Sequence, residues 1–451
     1  MTQADRAGVR RWLAMTAGLA GGIGAGTATV LTASIVGGPF VGLDRVRDGL
    51  RPEHLSLLLC FVTVVAVAGL AGRWGWLVAT VGLALQVALL EASSPTAWEA
   101  FGFVAMLVVG AGAALGGALA AFEGTDRAVR LAIVAGLAVG AGGGWNLDLE
   151  VPDTLPQRLL PAVLVLLAAV AWLALGAGRA GRAVPSALAI GAVAVVVALV
   201  GVVVAVLVSG RIVEPLLPDV LRTYEGRLDG IYLAFLASLV LAGTGYLAGR
   251  AEAAQLVVVG FAAGLAWSAQ LLPQFRYTYD SVWVAPAAAA GGVAGVLLIR
   301  SMQAVPWDVL ALFSAAALLV ATSPDLRDLR ALSGLQGDDV VGHVAIVFLL
   351  SAALATAAGR VVIQHSAAHN VLRATMPVAL ASGFTAFALT VILTMYRVER
   401  SLVADPVVGK RVGITIGVAA LVALALFVLS LRTRTKSPTI AADSLPATAN
   451  P

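Results

Sequence analysis

Only a handful of side chains in this 451-residue chain are of a type to catalyse, bind a metal or carry a proton. Asp44 and Asp48 sit in the stretch GLDRVRDGLRPEH. Two carboxylates in one loop can act as a base or hold a metal. Arg45 and Arg47 alternate with the two acids, however, and an ordinary salt-bridged loop accounts for all four. His365 and His369, at i and i+4, would share one helix face as metal-binding pairs do. No cysteine or acid stands beside them to complete a ligand shell, so no metal is expected. Asp308, Glu91 and His343 each lie at the edge of an apolar run. Each is placed to take up a proton near the membrane surface and so to couple it to other work. Asp308 equally suits a helix N-terminus, where an acid matches free N–H groups. Glu91 and His343 equally suit solvated interface positions. No phosphate-binding loop, nucleophile elbow or HExxH stretch occurs. The sequence therefore points away from an enzyme, from a cofactor and from ATP-driven work by this chain alone.

The elements that hold these residues are dictated by composition. Hydrophobic residues make up 60% and charged residues 12%, with a mean hydropathy of +0.96. Soluble domains carry roughly 25% charged residues, and a chain this long cannot cover a water-facing surface with so few. The bilayer must cover most of it. The net charge of +4 comes with arginines scattered singly between apolar runs. That is a membrane-flank pattern and not the basic stripe that nucleic acid requires. The lone cysteine, Cys60, rules out a disulfide within the chain and reads as a small apolar helix residue.

About fourteen apolar runs follow one another, most long enough for a helix across a hydrocarbon core of about 30 Å. The first, Trp12–Val36, is too long for a signal h-region and is expected to stay in the membrane. Strand-like alternation is absent, so a barrel is excluded. The expected fold is an all-α, polytopic transmembrane bundle. Residues 1–11 form a cytoplasmic N-terminus, 12–177 a six-helix bundle and 178–250 two extra central helices. A second six-helix bundle covers 251–432, and 433–451 form a disordered cytoplasmic tail. Short turns bearing single arginines, Arg360 after the run His343–Ala358 among them, and Arg6, Arg10 and Arg11 before the first run, place both termini in the cytoplasm of a cell inner membrane. Several runs are rich in glycine and alanine, which lets helix backbones approach closely in lipid.

The stretch from Leu70 to Asn146 carries the most information. It reads LAGRWGWLVATVGLALQVALL, then SSPTAWEAFGFVAMLVVGAGAALGGALAAF, then LAIVAGLAVGAGGGWN after a short charged turn. This resembles helices two to five of the major facilitator superfamily, in its fourteen-helix drug–proton antiporter branch. Gly72, Arg73 and Gly75 look like the remnant of the family's Gly-rich, Arg-containing turn motif. Gly110 and Gly112 fit the glycines of its helix-four pattern. Gly136, Gly140, Gly142, Gly143 and Gly144 resemble its glycine-rich antiporter motif, without the usual proline. Two later stretches, AWSAQLLPQFRYTYDSVWVAPAAAAGGVAGVLLI and HSAAHNVLRATMPVALASGFTAFALTVIL, are similar to the family's second half. The resemblance implies two bundles rocking around a midplane site, with export the direction common in that branch.

The departures bear on mechanism. Aligned on Gly110, the family's helix-four Arg falls on Met106 and its Gln on Val109, which puts the usual proton route in doubt. No Asp, Glu, Lys or Arg is expected deep within a run, so coupling would fall to Asp308, Glu91 or His343, or to an acid folded inward from an outer loop, or the chain is not proton-coupled. The polar and amphipathic residues inside runs are Gln86, Thr244, Tyr246, Trp267 and Gln270. They are expected to point inward, lining a substrate path or bonding neighbouring helices. The reading is a secondary transporter of a lipophilic or amphipathic small molecule, with the bilayer and that substrate as its partners and no nucleic acid. The alternatives are a polytopic membrane glycosyltransferase and a non-transporting membrane scaffold. The oligomeric state is left open.

Overall fold

A computed structural model of the chain describes residues 3–37, most of 59–71, 74–91, 97–122, 125–143, 155–175, 219–269, 283–322, 339–367, 370–402 and 408–435. Among these residues every regular element is helical. The helices are α1 (Gln3–Gly37), α2 (Gly75–Glu91), α3 (Ala97–Ala120), α4 (Arg127–Gly143) and α5 (Leu155–Leu175). They continue with α6 (Asp219–Ser268), α7 (Val284–Ser301), α8 (Trp307–Thr322), α9 (Asp339–Ala367), α10 (Asn370–Leu402) and α11 (Val408–Thr435). A further helical segment lies within 59–70.

Helices α1, α6, α7, α9 and α11 each contain a stretch long and apolar enough to cross a membrane, and α2, α3, α5, α8 and α10 contain shorter ones. Helix α6 is not a single straight rod. A Cβ added at Gly245 would lie 3.2 Å from the backbone of Ala253, whereas eight residues of straight helix span about 12 Å. The chain therefore turns back on itself there, separating the apolar stretches 231–248 and 251–268. The expected run at 186–209 lies outside the described residues.

Helix ends differ from the apolar runs in two places that matter. Helix α1 begins at Gln3, well before Trp12, and α9 continues to Ala367, beyond the run's end at Ala358. An apolar run marks the part of a helix in hydrocarbon, while the backbone hydrogen bonding extends past it into polar residues. The extension of α9 carries Arg360 out of a presumed turn and into a helix.

The order of packing in the first set of helices recurs in the second. Helix α1 packs on α3, α4 and α5, and α6 packs on α9, α10 and α11. Likewise α2 touches α3 and α5, and α8 touches α9 and α11. Glycines make these approaches possible. A methyl added at Gly22 of α1 would come within 3.0 Å of Gly136 Cα on α4, and one at Gly26 within 3.1 Å of Gly140 Cα. In the second set, Gly260 of α6 lies against Gly383 of α10, and Gly264 against Phe387 and Thr390. Where helices gain little by hiding apolar surface from lipid, such close backbone contact is what holds them. The outward faces of α5 and α11 expose Leu166, Leu167, Val170, Val418 and Leu421, as lipid-facing positions do.

Candidate functional site

The turn 302–306 folds tightly, with Val305 N–H donating to the Met302 carbonyl at 3.3 Å. It delivers Asp308 into the first turn of α8, where the acid was expected on capping grounds. Asp308 is nonetheless not at a watery edge, because it is completely buried. Arg360 Nη2 of α9 donates to Asp308 Oδ1 at 3.3 Å, and Gln255 Nε2 of α6 donates to Oδ2. The same Nη2 reaches the Val305 carbonyl at 3.2 Å, and the guanidinium carbon stands 4.3 Å from the ring centre of Phe427 on α11. Arg360 is itself only 2% exposed. A buried ion pair is tolerated where each charge is neutralised and its donors and acceptors are met. Here Nη2 divides its hydrogen bonds between the carboxylate and the Val305 carbonyl, and the guanidinium rests on a ring face. Asp308 and Arg360 stand at the ends of apolar runs, yet both are buried, because α6, α8, α9 and α11 meet around them.

The equivalent corner of the first set uses glycine contacts where the second uses charge. Gly75 at the start of α2 lies against Gly117 of α3, and Gly82 lies against Gly110. Gln86 folds over Gly110, its Cγ 2.7 Å from where a Cβ would stand, and donates Nε2 to the Leu107 carbonyl at 3.1 Å. Its Nε2 thereby links α2 to α3. Trp76 of α2 packs edge-on to Trp172 of α5, with ring centres 6.1 Å apart.

The two sets meet where α4 lies against α7 and α9, with further contacts between α1 and α10 and between α3 and α10. Gly142 faces the Ser351 hydroxyl of α9, and a Cβ added at Gly143 would stand 3.0 Å from the Ala288 methyl of α7. Gly292 of α7 faces Val139 and the Ala135 carbonyl. The glycines of α4 therefore divide their work. Gly136 and Gly140 hold α1 within the first set, while Gly142 and Gly143 admit the second. Gly112 is buried within α3.

The other candidates scatter. Trp267 is fully buried in α6, and His343 is fully buried near the start of α9, not at a solvated interface. Tyr246 is 55% exposed, against its expected inward placement. A tyrosine beside the turn in α6 suits a membrane interface, where ring and hydroxyl each find their medium. His365 is buried, with Nδ1 2.9 Å from the Val361 carbonyl. No cluster of three metal-ligating side chains exists among the described residues. Met106, in the position of the family's arginine, is exposed on α3. Asp44, Asp48, Cys60, Gly72, Arg73, Gly144, Gln270 and His369 lie outside the described residues, as do the side chains of Glu91 and Thr244. Sequence reasoning missed Arg360 and Gln255 as partners of Asp308. Their separations of 52 and 53 residues leave no local pattern to detect.

No known family profile matches the chain, and no curated protein is similar to it in sequence. Solved structures are similar to it. The POT family transporter PepTSo matches with a TM-score of 0.50 at 14% identity, over 95% of this chain and 99% of that one. The human organic anion transporter MFSD10 matches at 0.49 and 15% identity, covering 93% and 99%. The xylose transporter XylE from E. coli matches at 0.47 and 12% identity, covering 94% and 99%. These are membrane transporters rather than enzymes. At such identity the likeness to PepTSo is one of fold, and the chain is an all-α, multi-pass membrane protein with that transporter fold.

Proposed function

We propose that the chain is a secondary transporter that carries a lipophilic or amphipathic small molecule by alternating access, its two sets of helices rocking about the seam between them. The observation that carries this reading is the seam itself. Where α4 meets α7 and α9, the facing residues are Ala135, Val139, Gly142, Gly143, Ala288, Gly292 and Ser351. Small residues without charge let two surfaces slide and part at little cost in desolvation, and they favour a solute that asks for few hydrogen bonds. Export is the direction of the antiporter branch whose glycines these resemble.

Protons are not routed through Asp308 in this proposal. Its partners Arg360 and Gln255, and Phe427 beside them, all belong to the second set of helices. The pair therefore travels whole when one set moves against the other. Flux of a lipophilic dye in proteoliposomes, with and without a pH gradient, tests the reading. Saturable flux that ignores the gradient supports it. Absence of flux for a panel of such dyes removes the transporter reading, and flux that needs the gradient and fails in Asp308→Asn restores Asp308 as the coupling acid.

A further inference from the structure

The first turns of α1 stand clear of the bundle. Residues 5–13 are all exposed, and burial begins only at Ala17. Their level is set by one contact. Arg11 Nε lies 3.0 Å from Asp126 Oδ2, in the turn between α3 and α4. Asp126 Oδ1 accepts the Val129 N–H at 2.9 Å and so caps α4. Both oxygens of this carboxylate are engaged, and it anchors Arg11 at the end of the bundle. A helix rises 1.5 Å per residue, so Arg10 lies about 1.5 Å and Arg6 about 7.5 Å beyond that anchor.

This is the depth of a lipid headgroup layer, which adds roughly 5–7 Å to each side of the hydrocarbon core. The side chains are arranged to match it. Val9, Trp12 and Leu13 are exposed, Trp12 by 69%, and at 100° per residue they share a sector of about 100° on one side of the helix. Arg6 and Arg10 lie about 40° apart, directly beside that sector. Neither arginine has an ion-pair partner among the described residues. An indole at the interface, apolar contacts for the upper acyl chain and two adjacent guanidinium groups with no ion-pair partner among the described residues together describe a receptor for a phosphate that carries a lipid tail.

We infer that the N-terminal turns of α1 bind the headgroup of an anionic phospholipid, through Arg6 and Arg10, with Val9, Trp12 and Leu13 against its glycerol and upper chain. Charge complementarity selects the anionic lipid over a zwitterionic one, and Arg11 is excluded from the site by its bond to Asp126.

The test uses the full-length protein purified in neutral detergent, titrated with phosphatidylglycerol or phosphatidylcholine, with retained lipid counted by native mass spectrometry. The wild type is expected to retain phosphatidylglycerol in preference. An interfacial arginine at an anionic surface is worth about fivefold, so Arg6→Gln with Arg10→Gln weakens retention by roughly 30-fold. The unfolding temperature stays unchanged in that variant. Arg6→Lys with Arg10→Lys retains most of the preference. Asp126→Asn keeps the cap but releases Arg11, and is expected to strengthen retention. Equal retention by the wild type and the glutamine variant overturns the inference, as does equal retention of phosphatidylcholine. Displacement of the lipid by inorganic phosphate at matched concentration also overturns it, assigning the arginines to a soluble anion.

Discussion

Asp308 and Arg360 form an ion pair that is closed to solvent on every side, yet the two residues come from separate helices that a short apolar corner would have joined as well. In the first set of helices, Gly75 and Gly117 make the matching junction with no side chain at all. The pair therefore adds something other than adhesion. It ties α8 and α9 to α6 through Gln255 and to α11 through Phe427, so that four helices share one fixed point.

Removing one member should be costly because it strands the other. Asp308→Ala is expected to lower stability by about 3–5 kcal/mol, leaving Arg360 buried without its counterion. The double change Asp308→Leu with Arg360→Met should recover most of that loss, since no charge then remains to be satisfied. Thermal unfolding in lipid nanodiscs reads both. A double variant as damaged as the single one would show that the junction depends on the charges themselves.

The glycine seam between α1 and α4 makes a second prediction. Gly22→Ala places a methyl against Gly136 and the Ile133 carbonyl, and should cost about 1–3 kcal/mol by overpacking. Gly8→Ala meets nothing within 4 Å and is expected to be neutral or slightly stabilising. Comparable losses at both sites would remove close helix approach as the reason for the glycines.

At the seam between the sets, Gly142 and Ser351 should behave as a coupled pair. Gly142→Ala drives a methyl into the Ser351 hydroxyl. Adding Ser351→Ala removes that oxygen and is expected to return about 0.5–3 kcal/mol of coupling energy. Dye flux in proteoliposomes should fall in Gly142→Ala and rise again in the double variant. Strictly additive effects would separate the two residues.

Gln86 yields a prediction about what a residue does not do. Gln86→Leu loses the bond to the Leu107 carbonyl and should cost about 1 kcal/mol in stability. The relative rates for different dyes should stay as they were, because the Nε2 bond joins α2 to α3. An altered substrate preference would return Gln86 to the transport path.

Much of this was legible in the sequence because lipid imposes one-dimensional rules. Apolar runs of membrane length marked the helices, and repeated small residues marked where backbones touch, as Gly136 and Gly140 do. What stayed hidden depended on contacts between distant segments. Asp308 was visible as a helix-start acid, but its burial follows from Arg360, which the end of an apolar run had assigned to a turn. Tyr246 carried the opposite error. A polar group inside an apolar run was expected to face inward, and only the return of α6 at Gly245 reveals the edge that it occupies. The run at 186–209 and the loop that holds Asp44 and Asp48 lie outside the described residues.

The recurrence of one packing order in both sets of helices has a practical side. Some positions in one set have a counterpart facing the corresponding helix in the other, as Gly22 facing Gly136 of α4 and Gly260 facing Gly383 of α10 do. The molecule thus carries its own control experiment. The same substitution made at both counterparts, in one chain and one membrane, separates what a residue owes to the shared architecture from what it owes to its own half.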